Sequence, residues 1–108
     1  MRRTLAGTRA TTVSAVGTAI LIEDLRDVGE LPARAVVVTS AASPDLVLVV
    51  RRAVGIVTET GGPASHAAIL AREFGIACSV GVSGAMSKIP HGVAIRINGA
   101  TGEVDVLH

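Results

Sequence analysis

The sequence contains almost no aromatic side chains: Phe74 is the only one in 108 residues, and tryptophan and tyrosine are absent. Hydrophobic residues nevertheless make up 49% of the chain, so any core must be built from valine, isoleucine, leucine and alanine. The β-branched share of that set favours strands. Without tyrosine or tryptophan the chain also lacks the usual platforms on which nucleic-acid bases stack.

A surplus of charge of one sign is missing as well. The formal net charge is +1 and no basic block is present, so nucleic acid is not expected as a partner. Cys78 is the only cysteine, which excludes an intrachain disulfide and suits a reducing compartment. The spacing of His66, His91 and His108 does not match a metal site, so no metal is expected.

Long apolar runs are absent too. No stretch has the length that crossing a bilayer requires, and the basic start is not followed by the apolar segment of a signal peptide. A chain of 108 residues suits one compact domain. We therefore expect a single domain over residues 1–108, soluble and cytoplasmic, without a membrane partner.

Short apolar runs separated by turn residues predict six strands, at 18–22, 36–39, 55–58, 76–80, 93–97 and 104–107. The last two are joined by Asn98-Gly99 and Thr101-Gly102, which predict a hairpin. Segments 5–12, 25–34 and 81–88 show no clear period and are expected to be loops or turns.

Two helices are predicted between the strands. Ser43-Pro44-Asp45 is a helix start, with a helix over 46–53, although the apolar, partly β-branched residues 46–49 also fit a strand. A second helix is expected over 65–74, closed by Gly75. Alternation of strands and helices, followed by a hairpin, indicates an α/β fold whose sheet is partly parallel and partly antiparallel.

The most informative stretch places His66 at the start of this second helix, just after Gly61-Gly62. Paired glycines allow unusual backbone angles and close approach of a ligand. The first helical turn presents unpaired N–H donors and the positive end of the helix dipole, which favour a neutral, nucleophilic imidazole and then stabilise a bound phosphoryl group. The predicted site therefore has His66 as catalytic residue, and the residues expected to position the phosphate are Gly61, Gly62, Ser65 and Ala67.

Each of these residues also has a purely structural interpretation. His66 can be a surface residue, and Ser65 can act only as the helix cap. Arg72 lies about two turns from the helix start, where it either packs or supports the phosphate. Glu59 either accepts backbone hydrogen bonds in the turn or positions the loop. His91, between Pro90 and Gly92, is expected to be an exposed turn residue.

The segment GGPASHAAILAR, from Gly61 to Arg72, resembles the phosphorylation-site signature of the phosphoenolpyruvate-utilising enzymes. That family includes pyruvate phosphate dikinase, phosphoenolpyruvate synthase, rifampin phosphotransferase and enzyme I of the sugar phosphotransferase system. The resemblance covers nearly the whole chain and is weakest before about Gly17.

The resemblance implies a swivelling, mobile β/β/α three-layer domain with a mixed sheet. It further implies that His66 is phosphorylated on Nε2 and relays the group between a nucleotide site and a phosphoenolpyruvate/pyruvate or other acceptor site. Those sites lie on partner domains in cis or trans, as do the expected Mg²⁺ and ATP, so this domain is expected to bind no cofactor. The chain is then the phosphoryl-carrier component of a phosphotransferase and not a complete enzyme.

Two departures from the family pattern stand out. The family usually has threonine at Ala64, which here can neither support the histidine through a hydroxyl nor be a regulatory phosphorylation site. It also commonly has proline where Ala77 or Cys78 stands. The chain lacks a P-loop, so we expect either a fragment or a free-standing carrier. The alternative function is a non-catalytic interaction or regulatory module that retains the swivelling fold.

Overall fold

The computed structural model describes residues 3–107, and for Asp27 only the backbone is described. Met1, Arg2 and His108 therefore lie outside the described part of the chain. The strands are β1 Arg3–Leu5, β2 Thr8–Arg9, β3 Ala15–Leu21, β4 Ala35–Thr39, β5 Ala53–Thr58, β6 Ala77–Val80, β7 Ala94–Ile97 and β8 Val104–Leu107. The α-helices are α1 Val47–Val50, α2 His66–Phe74 and α3 Ala85–Lys88, with 3₁₀ turns at Leu25–Asp27 and Pro44–Leu46.

The strands form one mixed sheet in the order β1-β8-β7-β3-β4-β5-β6-β2. Its centre, from β3 to β6, is parallel, and β7, β8, β1 and β2 pair in antiparallel fashion. The edge strands β1 and β2 are joined by only Ala6 and Gly7. Because so short a link spans only a few ångströms, the sheet curls until its two edges approach each other.

Curling creates two cores. The inner core fills the space between the facing strand layers and consists of Leu5, Ala19, Val36, Val38, Val57, Ala77, Val82, Ala85, Ile89, Ile95, Ile97, Val104 and Val106. The outer core lies between the parallel strands and the layer of α1 and α2, and its larger members include Val37, Leu46, Val50, Ile56, Leu70 and Val80. These three layers confirm the predicted α/β class with its β/β/α arrangement and mixed sheet.

The prediction of a helix over 46–53 is wrong in its extent. A 3₁₀ turn begins at Pro44, α1 ends at Val50, and Ala53 already belongs to β5, where it pairs with Ala35. The strand alternative for 46–49 is wrong too. Residue Ala53, at the end of the expected helix, instead pairs with β4 as part of β5. Local sequence does not reveal pairing between segments so far apart in the chain.

Two segments expected to be loops contain short elements. Residues 5–12 include β2 and the end of β1, and residues 81–88 include α3. The six predicted strands are all present, with bounds that differ by up to three residues. Between residues 3 and 107 the longest helix, α2, has nine residues, and none is long and apolar enough to span a bilayer.

Candidate functional site

The carboxyl end of β5 leads into a turn that is hydrogen-bonded to the loop after β4. The Thr58 hydroxyl donates to the Thr60 carbonyl at 2.7 Å, and the Thr60 amide and hydroxyl both donate to the Ser40 carbonyl, at 3.1 and 3.0 Å. The Glu59 amide donates to the Thr39 carbonyl at 3.2 Å. The loops after β4 and β5 are therefore held together, which fixes the approach to His66.

Gly61 and Gly62 have different roles in this turn. Gly61 has a φ of +101°, and a Cβ there would lie 3.1 Å from the Ser65 Cβ, so the turn requires glycine at this position. A Cβ on Gly62 would meet nothing within 4 Å. The open space expected from the glycine pair therefore lies at Gly62.

Helix α2 begins as the sequence predicts. Ser65 is extended, and its hydroxyl accepts a hydrogen bond from the Ala68 amide at 3.4 Å, so the predicted cap role is present. The first backbone bond of the helix runs from the Ile69 amide to the Ser65 carbonyl at 3.0 Å. The amides of His66 and Ala67 precede that bond and have no helical acceptor, as at any helix start. The His66 side chain at this helix start is exposed.

The segment that carries His66 has no cationic side chain of its own. Residues 53–71 contain neither lysine nor arginine, so what this segment offers an anion is backbone amides and the dipole of a nine-residue helix. Arg72 lies at the opposite end of α2, where its Nε donates to the Ala10 carbonyl at 3.0 Å. Its observed contact therefore supports the packing interpretation.

Glu59 forms a contact outside its own turn. Its Oε1 accepts a hydrogen bond from the Met86 amide at 3.0 Å, at the start of α3. Of the two interpretations left open by the sequence, the observed contact favours positioning of a loop, although the positioned segment is 81–88 and not the turn itself. The Val82 amide also donates to the Thr58 carbonyl at 2.9 Å, so two hydrogen bonds join α3 and its approach to the end of β5.

Several residues that shape the site were not predicted from the sequence. Thr58 closes the turn through its hydroxyl, and Met86 donates its amide hydrogen bond to the Glu59 carboxylate. Gly81 has a φ of +66°, and a Cβ there would lie 3.3 Å from the Gly61 carbonyl oxygen. A Thr58-to-Thr60 bond is a recurring local motif that the sequence offers, whereas the contacts of Met86 and Gly81 join segments more than 15 residues apart.

The remaining nucleophilic and metal-binding residue types lie apart from His66. His91 is exposed, and its Nδ1 accepts a hydrogen bond from the Leu21 amide at 3.1 Å. Burial raises the pKa of the Cys78 thiol to about 12, with Arg72 acting in the opposite direction. Within residues 3–107, no group of three or more His, Cys, Asp or Glu side chains is placed to hold a metal ion.

The fold is shared with proteins of known structure. Holo aconitase X of Thermococcus kodakaraensis superposes with a TM-score of 0.78 over 98% of this chain and 99% of that chain, at 18% sequence identity. That likeness concerns the fold alone. A solution structure of Enzyme I superposes with a TM-score of 0.60 at 29% identity, over 75% of this chain and 32% of that chain.

Fold and site together describe a mobile domain of the type found in enzymes that use phosphoenolpyruvate. Residues 31–102 match the family described as PEP-utilising enzyme, mobile domain, and the chain belongs to that family. Phosphoenolpyruvate synthase of Pyrococcus furiosus is 38% identical over 88 residues, which is 82% of this chain. The match covers 11% of that protein, so the chain corresponds to one small part of a much longer relative.

Proposed function

We propose that this chain is a phosphohistidine carrier, in which His66 accepts a phosphoryl group at one site and delivers it at another. The donor site holds a nucleotide and the acceptor site holds phosphoenolpyruvate, pyruvate or another acceptor, both on partner domains. The observation that carries this proposal is the exposure of His66 at the start of α2, beside the open space at Gly62.

The chemistry requires two in-line displacements. In the first, the lone pair of His66 Nε2 forms a bond to phosphorus while the bond from phosphorus to the bridging oxygen of the donor breaks, and that electron pair leaves with the nucleotide. In the second, an acceptor oxygen attacks phosphorus and the electron pair of the P–N bond returns to the imidazole. Splitting the exchange in this way lets two substrates react at separate sites.

The surroundings of His66 suit an anion that must be released again. The amides of His66 and Ala67 and the helix dipole attract a phosphoryl group, and the segment that carries His66, residues 53–71, contributes no lysine or arginine as an ionic partner. Ala64, exposed two residues before His66, adds no hydroxyl. We infer that transition-state charge is stabilised by cations of the partner domains, which also supply Mg²⁺ and ATP.

The experiment measures transfer of label to the chain. The chain is incubated with the nucleotide-binding domain of its parent protein, or of the neighbouring gene, and with ATP labelled with ³²P at both the β and γ phosphates. We expect a labelled product that is stable in base and labile in acid, as a phosphoramidate is. His66→Gln abolishes the label, and the matched change at the other described exposed histidine, His91→Gln, leaves the final extent of labelling unchanged when the nucleotide-binding domain is saturating.

Label that persists in His66→Gln, or that is absent from His91→Gln, contradicts the proposal. The alternative, a non-catalytic module, predicts no label in the unchanged chain or in either variant, although the chain still binds its partner domains. The exposed position of His66 does not favour that alternative, because a histidine kept only for packing is expected to be covered.

A further inference from the structure

A groove lies at the carboxyl end of β3, apart from His66. It has a volume of about 650 Å³ and is lined by the end of β3, by residues 22–24 and 28–31 of the segment that follows, and by Met86 and His91. Its apolar wall includes Ile22, Val28, Leu31 and Met86, and its rim carries the exposed carboxylates of Glu23 and Glu30. We call it the β3 groove. Neither rim carboxylate has a place in the chemistry proposed for His66.

Acidic side chains cluster around the groove, at the carboxyl end of the parallel strands. Glu23, Asp24 and Glu30 line it, and Asp45 lies in an adjoining cleft with Glu23 and Asp24. The arginines near the amino end, each just before a strand or at the far end of α2, are Arg34, Arg51, Arg52 and Arg72. Arg26 at the carboxyl end pairs with Asp24 at 2.9 Å. The β3 groove is therefore an apolar surface with a negatively charged rim.

His91 adds a directed hydrogen-bond donor to the groove. Its Nδ1 accepts the Leu21 amide, so the neutral ring carries its proton on Nε2. That N–H is available to a backbone carbonyl of a bound segment. An apolar wall, two carboxylates and one N–H donor match an extended segment in which apolar residues accompany lysine or arginine, whose aliphatic stems pack on apolar surface while their charged ends reach the rim.

The groove is close enough to His66 to share one interface with it. β3 and β5 are two strand spacings apart, which is roughly 10 Å, and an ordinary protein interface buries about 800 Å² on each partner. The two sites are also mechanically joined, because Met86 in the groove wall donates its amide to Glu59 at the start of the His66 turn. One interface of ordinary size is therefore large enough to cover both His66 and the groove.

We propose that the β3 groove docks a lysine- or arginine-bearing apolar segment of the partner domain that exchanges phosphate with His66. This inference rests on the proposed function. Sites that handle nucleotide phosphates are lined by cations, so their surroundings are positively charged, and the negative carboxyl end of this sheet complements them. Complementary charge of this kind raises the rate of encounter and fixes orientation.

The first test uses a peptide probe and does not depend on phosphate transfer. A blocked pentapeptide of alternating leucine and lysine is titrated into the ¹⁵N-labelled chain. We expect amide shifts confined to residues 20–31, Met86 and His91, and weakening of binding as NaCl is raised from about 50 to about 300 mM. The control peptide, with glutamate in place of lysine, produces no such shifts. Shifts spread over both ends of the sheet, or equal shifts with both peptides, overturn the proposal.

Matched charge reversals then localise the effect. Glu23→Lys with Glu30→Lys reverses the rim, and Glu73→Lys with Glu103→Lys makes the same change in net charge at exposed positions near the amino end. The rim variant is expected to lose peptide affinity by about tenfold, and the amino-end variant to bind as the original chain does. Equal loss in both variants indicates a net-charge effect and overturns the proposal.

The labelling reaction connects the groove to transfer. The rim variant is expected to raise KM for the nucleotide-binding domain by about tenfold with kcat unchanged, and unchanged KM overturns the docking role. His66→Gln is expected to bind the peptide normally. Absence of label in the original chain, together with normal peptide binding, overturns the carrier function but not the groove, so the two failures are distinguishable.

Discussion

The two ends of the parallel strands differ in how much side-chain volume they tolerate. At the amino end, a Cβ on Gly17 would lie 2.0 Å from the carbonyl oxygen of Arg34, a residue whose own φ is +58°. At the carboxyl end, a Cβ on Gly62 would meet nothing within 4 Å, and His66 is exposed. At Gly17 the backbone of β3 touches the segment that precedes β4, whereas the turn after β5 leaves space at Gly62. Ligands of open α/β sheets also bind outside the carboxyl ends of the strands.

The largest expected effect comes from adding a methyl group at Gly17. Gly17→Ala forces a methyl group against a backbone oxygen that cannot move without breaking the bond from the Thr18 amide to Arg34, so we expect a loss of about 3 kcal/mol in the free energy of unfolding. Gly62→Ala is expected to change it by less than about 0.5 kcal/mol. Urea unfolding of both variants measures this, and similar losses in the two would remove the contrast.

The next largest effect is expected in the core beneath the carboxyl end of the strands. Leu46 is fully buried in the outer core, and Leu48, two residues further on, is 59% exposed. Leu46→Ala is expected to cost about 3 kcal/mol because it leaves a cavity, and Leu48→Ala less than about 0.5 kcal/mol. Thermal or urea unfolding reports both. A large loss at Leu48 would mean that its side chain is covered.

A smaller effect concerns the thiol of Cys78, which is buried where His66 is exposed. In the folded chain the Cys78 thiol has a pKa of about 12, because burial disfavours the thiolate. In the unfolded chain the thiol has its ordinary pKa of 9.0 and loses its proton above that pH. Stability from this group is therefore complete below pH 9.0 and declines as pH rises towards 12, by about 1.4 kcal/mol per pH unit. Urea unfolding from pH 8.0 to 10.5, as a difference from Cys78→Ala, measures it, and a flat difference would contradict burial of the thiol.

The smallest effect concerns the helix start. Ser65→Ala removes the hydroxyl that accepts the Ala68 amide, at a distance of 3.4 Å, and is expected to cost about 1 kcal/mol. Ser65→Asp keeps an acceptor at the cap, and recovery of stability in that variant identifies the cap as the cause. If Ser65→Ala abolishes labelling of His66 without changing stability, the serine acts on phosphate and not only on the helix.

How well the sequence predicts each element follows from how local its causes are. Helix α2 is predicted to within one residue because Ser65 begins it and Gly75, at φ +65°, ends it. Helix α3 was missed because it begins after Gly84 without a side-chain cap and depends on Glu59, 27 residues away. The strands β1 and β2 were missed because their partners, β8 and β6, lie far along the chain.

The features of the candidate site also differ in whether their causes are local in the sequence. The order Gly61, Gly62, Ser65, His66 is a local pattern, and it is sufficient to predict a turn, a capped helix and an exposed histidine at its start. The contacts of Glu59 with Met86 and of Arg72 with Ala10 were left open between two interpretations, because a side chain's partner depends on which distant segment the sheet brings beside it.

By itself, the sequence determined the strand–turn–helix unit that carries His66, since hydrophobic period, glycine and capping residues act over a few residues. Only the tertiary structure decided that the sheet curls upon itself, that α1 ends at Val50, and that Met86 and the β3 groove lie at the same end as the histidine. Those features arise from strand pairing and core packing between segments distant in the chain, and no local propensity encodes them.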